Sequence, residues 1–113
     1  MLGKKVSLKV GQTLSIQSEK LDIKFLGVIS DSRCPKGVVC FWAGQAMVSI
    51  NVVKSQQNLG DFQLIDTNDG RVSSVLVDIY KISLLKVEPY PKSGEELIDP
   101  KTYRITIKVD RVE

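Results

Sequence analysis

Apolar and polar residues alternate along much of this chain, and this period of two constrains its fold more than any other feature. The alternation is clearest in residues 6–10, 46–53 and 103–109, where every second residue is apolar. Successive side chains of a strand point to opposite faces, so the pattern is typical of strands with one buried face. Gly, Pro and Asp–Gly signals separate these segments at intervals of about 8–12 residues. The sequence therefore predicts an all-β protein.

The number and spacing of the segments narrow the architecture. We expect about seven or eight strands in an antiparallel β-sandwich or barrel-like fold, Ig-like in its general architecture. Helical patterns long enough for parallel crossovers are absent from the sequence, and the one helical turn is expected at residues 93–97. With 113 residues and no linker composition, residues 1–113 are expected to form a single β domain.

Three local expectations can be checked directly. The phase of the alternation changes after Leu26, which predicts a bulge at Gly27. Residues 54–60 are polar and end in Asn–Leu–Gly, which indicates a loop or a hairpin turn. Residues 72–80 are expected to form one strand, with Val75, Val77 and Ile79 on one face and Leu76 and Tyr80 on the other.

Composition and charge exclude several classes of function. Hydrophobic residues make up 42% and charged residues 26%, and the formal net charge of +3 comes from cations spread along the chain. A block of like charges that would indicate a nucleic-acid tail is absent from the sequence, as is an apolar run long enough to cross a membrane. We therefore expect no nucleic-acid partner and no transmembrane segment.

Catalytic chemistry lacks its usual residues. The chain has no histidine, so general acid–base or nucleophilic catalysis would rest on carboxylates and lysines. Asp22, Asp31, Asp66 and Asp69 occupy exposed-looking strand faces and turns. The spacing around Asp66 and Asp69 does not match a calcium loop. We therefore expect no catalytic residue, no metal, no cofactor and no enzymatic activity.

The least generic stretch is residues 31–46, which contains both cysteines and the only tryptophan. Cys34 and Cys40 enclose five residues, and Pro35-Lys36-Gly37 reads as a turn that can bring the two cysteines together. A disulfide-closed loop is the preferred interpretation, and two reduced cysteines in a cytosolic protein are the alternative. Zinc is disfavoured because two cysteines without histidine leave the site short of ligands.

Two further features are predicted from the residues after Cys40, one at Trp42 and one at the small residues that follow it. Trp42 follows at a spacing that places both side chains on one face of an extended segment, so the indole would pack beside the bridge. Ala43 and Gly44 are small, so another segment of the chain can approach closely there.

The segment Ser32-Arg33-Cys34-Pro35, with Val38, Cys40, Trp42-Ala43-Gly44 and Ala46 behind it, resembles a signature of uncharacterised small secreted or lipoprotein β domains of bacteria and archaea. Pro89-Tyr90-Pro91 and the final strand are similar to their C-terminal half. The resemblance implies an extracytoplasmic domain with the two cysteines bridged, and no reaction. Localisation is thus expected to be secreted, periplasmic or lipid-anchored, with a leader removed before Met1, and cytoplasmic localisation is the alternative.

The first functional hypothesis is a non-catalytic binding module at the cell surface, with an unidentified protein or cell-surface ligand. Loops displayed on a rigid scaffold commonly carry recognition, and residues 31–45 and 89–100 are the two candidate loops. The side chains that we select as the candidate binding site are Arg33, Lys36, Phe41, Trp42 and Tyr90.

Two other hypotheses remain open. Val10-Gly11-Gln12-Thr13-Leu14 resembles the start of chagasin-like proteinase inhibitors, and a rigid disulfide loop could enter a protease cleft. The third hypothesis is a structural domain that self-associates through an exposed edge strand, either its first or its last strand. The alternative to self-association is a monomer.

Overall fold

In a computed structural model, which describes residues 2–33, 44–67, 72–89 and 99–112, the chain forms eight β-strands. Two short 3₁₀ turns, Gln17–Glu19 and Pro100–Thr102, accompany them. In this described part of the chain, no helix has the length and apolar character needed to cross a membrane. The strands are β1 Lys5–Lys9, β2 Thr13–Ile16, β3 Leu21–Asp31, β4 Ala46–Lys54, β5 Gln57–Asp66, β6 Ser73–Val77, β7 Tyr80–Glu88 and β8 Arg104–Arg111.

The strands form two four-stranded antiparallel sheets, which confirms the all-β prediction. One sheet has the order β1-β8-β7-β6 and the other the order β2-β3-β4-β5. Neighbours within a sheet are consecutive in the chain, with one exception. The last strand, β8, pairs with the first strand, β1. This meander differs from the Greek-key order of immunoglobulin domains, so the Ig-like expectation extends to two antiparallel sheets and not to strand order. Self-association through the last strand is not supported, because β8 lies between β1 and β7 and is not an edge.

The core lies between the sheets and follows the alternation of the sequence. In β4 the inward residues Ala46, Val48, Ile50 and Val52 are all 0% exposed. β8 contributes its inward apolar residues in the same way. Complete burial of a large aliphatic or aromatic side chain stabilises the fold by about 1.5–3 kcal/mol. The other fully buried large side chains include Phe25, Leu21, Ile23, Leu64, Tyr80, Ile82, Ile105, Ile107 and Val109.

The predicted bulge at Gly27 is confirmed. The register between β3 and β4 shifts between Phe25 and Gly27, and Gly27 has a φ of +147° that residues with a side chain rarely adopt. Before the bulge Phe25 faces the core, and after it Val28 packs against the core as well. The extra residue therefore keeps an apolar side chain directed inward after the alternation changes phase.

The hairpin turn predicted within residues 54–60 is confirmed, but it is shorter and earlier than expected. The turn consists of Ser55 and Gln56 alone, both at positive φ, and β5 begins at Gln57. A two-residue turn with both residues at positive φ matches the twist of a hairpin. Asn58 and Gly60 are already paired with β4, and the register shift beside Val53 accommodates the residue between them. The ladder hydrogen bonds thus override the polar, turn-like composition.

The single strand predicted for residues 72–80 is wrong. β6 ends at Val77, a turn at Asp78 and Ile79 follows, and β7 begins at Tyr80. Asp78 has a φ of 56°, a left-handed conformation that aspartate tolerates better than most residues. Because of this turn, Tyr80 is buried in the core together with Val77, whereas Ile79 points outward. Tyr80 is 0% exposed and Ile79 is 36% exposed.

Candidate functional site at the loop end

Three connections start and finish at the same end of the two sheets, which we call the loop end. They are residues 32–45 between β3 and β4, 67–72 between β5 and β6, and 89–103 between β7 and β8. In one sheet, Asp31 of β3 and Asp66 of β5 are both paired with Ala46 of β4. In the other sheet, Glu88 of β7 is paired with Arg104 of β8. The loop end is therefore where both of the loops selected from the sequence begin and end.

A bidentate ion pair lies at the root of the first loop. Arg33 donates hydrogen bonds from Nε to Asp31 Oδ1 over 2.8 Å and from Nη2 to Asp31 Oδ2 over 2.7 Å. Its backbone N–H also donates to Asp31 Oδ1 over 3.2 Å. The side chain of Arg33 is 0% exposed and that of Asp31 is 9% exposed. A fork of this kind matches carboxylate geometry and holds the chain in one conformation as it leaves β3.

The same guanidinium reaches the other sheet. Arg33 Nη1 donates to the carbonyl oxygen of Val87 over 2.7 Å, and Nη2 donates to that of Pro89 over 2.9 Å. These carbonyls belong to the end of β7 and the first residue beyond it. One side chain therefore connects the root of the first loop to the root of the second.

Tyr103, which immediately precedes β8, completes the network. Its hydroxyl donates to Asp31 Oδ2 over 2.8 Å, and its ring is 7% exposed. The carboxylate of Asp31 thus accepts hydrogen bonds from both Arg33 and Tyr103. In the described residues, no buried side-chain nitrogen or oxygen lacks a hydrogen-bond partner.

The three groups shift one another's pKa. Burial by itself raises the pKa of Asp31, but hydrogen bonds from Arg33 and Tyr103 and the charge of Arg33 outweigh it, so the pKa lies below its usual 3.8. Burial lowers the pKa of Arg33, and the hydrogen bond and charge of Asp31 more than compensate, so the net pKa is raised. Burial and the adjacent carboxylate raise the pKa of Tyr103 to about 12. The group is therefore an ion pair with a neutral phenol at neutral pH.

Close backbone contact confirms the expectation for Gly44. A Cβ placed on Gly44 would lie 2.3 Å from the carbonyl oxygen of Ser32 and 2.8 Å from Arg33 Cα, and the φ of Gly44 is +74°. The neighbouring Gln45 accepts from Ser32 N–H over 2.7 Å and donates to Ser32 Oγ over 3.1 Å. The two ends of the first loop are thus held against each other before the loop begins.

The predicted binding residues divide into two groups. Arg33, expected on a recognition surface, is instead buried, and its guanidinium is held by Asp31, Val87 and Pro89. Burial and these hydrogen bonds assign it a structural part. The other four, Lys36, Phe41, Trp42 and Tyr90, lie outside the described residues.

The predicted disulfide has no support from the described part of the chain, because Cys34 and Cys40 lie outside it. The same holds for Ala43, for the helical turn at residues 93–97 and for Asp69. Residues 10–14, which resemble an inhibitor segment, form the turn from β1 to β2 and the start of β2. There Gly11 N–H donates to the carbonyl oxygen of Phe25 over 2.7 Å.

Two residues of this network, Asp31 and Tyr103, were not selected from the sequence. Asp31 was expected on an exposed face, but it pairs with Ala46, whose side chain faces the core. A signal was present, because Asp31 and Arg33 are two residues apart and share a face of an extended segment. Tyr103 begins the alternation of the last strand and was interpreted as an ordinary core residue.

The chemistry of the network is structural. Every hydrogen-bonding group of the Arg33 fork described above faces a protein acceptor, and none of the three groups titrates near neutral pH. Within residues 2–33, 44–67, 72–89 and 99–112, no group of three or more acidic or cysteine side chains is placed to hold a metal ion.

Comparison with known proteins adds no relative. Neither a protein family, nor a curated protein, nor a solved structure matches this chain.

Proposed function

We propose that this protein is a non-catalytic binding module whose recognition surface is formed by the connections at the loop end. The observation that carries the proposal is the Asp31–Arg33 pair and its two hydrogen bonds to Val87 and Pro89. It joins the roots of the two loops that contain the candidate side chains. A rigid scaffold that positions several loops at one end is the arrangement that binding proteins commonly use.

The energetic cost of the buried ion pair favours recognition at this end. A buried ion pair costs desolvation energy, and hydrophobic residues of similar volume stabilise a core equally well or better. Here the ion pair fixes the position of the two loop roots relative to each other, which hydrophobic residues would not do. A loop held in one conformation loses less entropy when it binds a ligand.

The proposal includes an extracytoplasmic location and a bridge between Cys34 and Cys40. The signature around these cysteines and the shortness of the loop between them support both parts. A bridge would restrict the first loop from within, as the Arg33 network restricts it at its root.

A peptide and glycan array probed with the purified protein tests the proposal. We expect specific binding that Trp42→Ala and Tyr90→Ala each reduce at least tenfold, while Gln63→Ala on the exposed face of β5 leaves it unchanged. Equal binding by all variants would exclude the loop end as the recognition surface.

A screen against cysteine and serine proteases distinguishes the inhibitor alternative. Under the binding-module proposal, proteolytic rates stay unchanged at micromolar protein. Inhibition that depends on residues 34–42 or 10–14 would favour the inhibitor instead. Light scattering addresses self-association, for which the proposal expects a monomer.

A further inference from the structure

The outer face of the sheet β1-β8-β7-β6 concentrates positive charge. Its inward residues, such as Leu8, Ile82 and Ile107, are buried, so the residues between them lie on the outward side of the sheet. Ser83 on this side is 6% exposed, whereas the charged side chains are exposed or half-buried. The strands place six cations and two anions, Glu88 and Asp110, on this side, an excess of four positive charges. We call it the basic face, and its cations are Lys5, Lys9, Lys81, Lys86, Arg104 and Lys108.

Strand pairing places like charges directly opposite each other on this face. Lys5 is paired with Lys108, and Lys9 is paired with Arg104. Like charges at opposed positions of an antiparallel pair are destabilising. Across β7 and β8 the two anions lie opposite cations, Asp110 opposite Lys81 and Glu88 opposite Arg104. The repulsion between β1 and β8 is relieved only in part, because the ion pairs of these anions are solvent-exposed, at 3.4 Å for Lys86–Glu88 and 3.9 Å for Lys108–Asp110. Folding thus assembles repulsive pairs that an external anionic partner would stabilise.

The opposite sheet shows that this concentration is specific to one side. The outward positions of β2, β3, β4 and β5 carry one cation, Lys24, and two anions, Asp22 and Asp61. The net charge of +3 is therefore polarised, with the excess of four on one sheet face. The sequence conceals this asymmetry because the cations come from three separate segments.

Exposed apolar side chains border the basic face at the end opposite to the loop end. Leu76 is 66% exposed and is paired with Lys81. Val112 is 44% exposed, and its N–H donates over 2.6 Å to the carbonyl oxygen of Ile79, which is 36% exposed. Amphipathic helices that lie on a lipid bilayer combine cations with exposed apolar residues, and this sheet presents the same combination.

We propose that the basic face docks onto an anionic phospholipid bilayer, with Leu76, Ile79 and Val112 reaching the headgroup boundary. Charge complementarity supports this occupant, since cations near an anionic leaflet each favour binding. A single-stranded nucleic acid is disfavoured, because the outward strand positions of this face contain no aromatic residue on which bases could stack. The inference is independent of the loop-end proposal, because it rests on strand residues of the other surface.

Co-sedimentation with phosphatidylcholine–phosphatidylglycerol vesicles (3:1) tests the inference, with pure phosphatidylcholine vesicles as the reference. We expect binding only to the anionic vesicles, weakened by high salt. The double variant Lys5→Gln/Lys108→Gln should bind about 25-fold more weakly, at about fivefold for each cation removed. Lys24→Gln, on the other sheet, should change binding less than twofold, and Leu76→Ser should weaken it about fivefold or more.

Three outcomes would overturn the inference. The first is no binding, or equal binding to neutral and anionic vesicles. The second is a loss with Lys24→Gln as large as that of the double variant. The third is tighter binding to a mixed-sequence single-stranded DNA than to the anionic vesicles. Thermal unfolding of each variant controls for folding, and none of these outcomes affects the array experiment on the loop end.

Discussion

Arg33 and Val87 lie 54 residues apart in the chain and in different halves of the sandwich, yet a 2.7 Å hydrogen bond joins Arg33 Nη1 to the Val87 carbonyl oxygen. The guanidinium that makes this bond is held in place by Asp31, at the end of β3. The opposing sheets are therefore connected at the loop end by a polar contact as well as by the apolar core. Loss of this contact should separate the two loop roots before the core itself opens.

Replacement of Arg33 tests the energetic weight of this connection. Arg33→Ala should lower the free energy of unfolding by about 3–5 kcal/mol, because Asp31 is left as a buried charge without its partner. Arg33→Lys should cost about 1–3 kcal/mol, since lysine keeps the charge but cannot reach the carboxylate and both carbonyls together. Urea denaturation measures both.

Arg104→Ala is the matched control, because Arg104 is an exposed arginine of β8. Its effect should stay within about 0.5 kcal/mol. An Arg33→Ala protein as stable as this control would show that the network contributes little to folding.

Asp31 predicts a specific loss of stability in acid. Its folded-state pKa lies below the unfolded value of 3.8, so its contribution is complete above that value and decreases as pH falls towards the folded pKa. The difference in unfolding free energy between the wild type and Asp31→Asn should therefore be largest near pH 6 and shrink below pH 4. A difference that stays constant down to about pH 2 would contradict the assignment.

Tyr103 predicts the opposite behaviour in alkali. Its folded pKa of about 12 exceeds the usual 10.0, so its contribution is complete below pH 10 and is lost as pH rises towards 12. Absorbance titration of the phenolates should resolve one tyrosine that ionises near pH 12, and Tyr103→Phe should remove it. If the late step persists in Tyr103→Phe, another tyrosine is responsible.

Gly44 and Gly11 form a matched pair for the close approach of the loop ends. Both have positive φ, at +74° and +84°, but only Gly44 has backbone atoms where a Cβ would be, and Gly11 has nothing within 4 Å. Gly44→Ala should cost about 2–4 kcal/mol from strain and overlap, and Gly11→Ala about 1–2 kcal/mol from strain alone. Equal losses in thermal or urea unfolding would show that Ser32 and Arg33 move aside freely.

The predicted bridge between Cys34 and Cys40 can be tested directly by thiol titration. Thiol titration of the unfolded, unreduced protein should find no reactive thiol, and reduction should release two. Cys34→Ser/Cys40→Ser should lower the unfolding free energy by about 2 kcal/mol, because the loop that is closed is short. Two thiols before reduction would favour the cytosolic alternative.

Much of the architecture could be predicted because alternation is a local property. Residues 46–53 and 103–109 identify their buried faces without reference to the rest of the chain. Gly27 and Gly44 could be recognised as well, since a residue without a side chain marks a bulge or a close approach. The exact position of the turn at Ser55 and Gln56 could not be recognised, nor the turn at Asp78, because none of these residues is the glycine that usually accompanies positive φ.

What only the tertiary structure decided is which distant residues meet. Alternation places Asp31, Arg33 and Tyr103 on strands or their ends, but the packing of the two sheets brings Arg33 to Val87 and Tyr103 to Asp31. The basic face has the same origin, since β1, β7 and β8 bring cations together that are far apart in the chain. The sequence by itself determined the strands and their apolar faces, because side-chain direction repeats every two residues. Packing of one sheet on the other decided that Arg33 meets Val87 and Pro89, and pairing of β1, β7 and β8 decided the charged surface. Neither can be read from local alternation, because both depend on contacts between residues far apart in the chain.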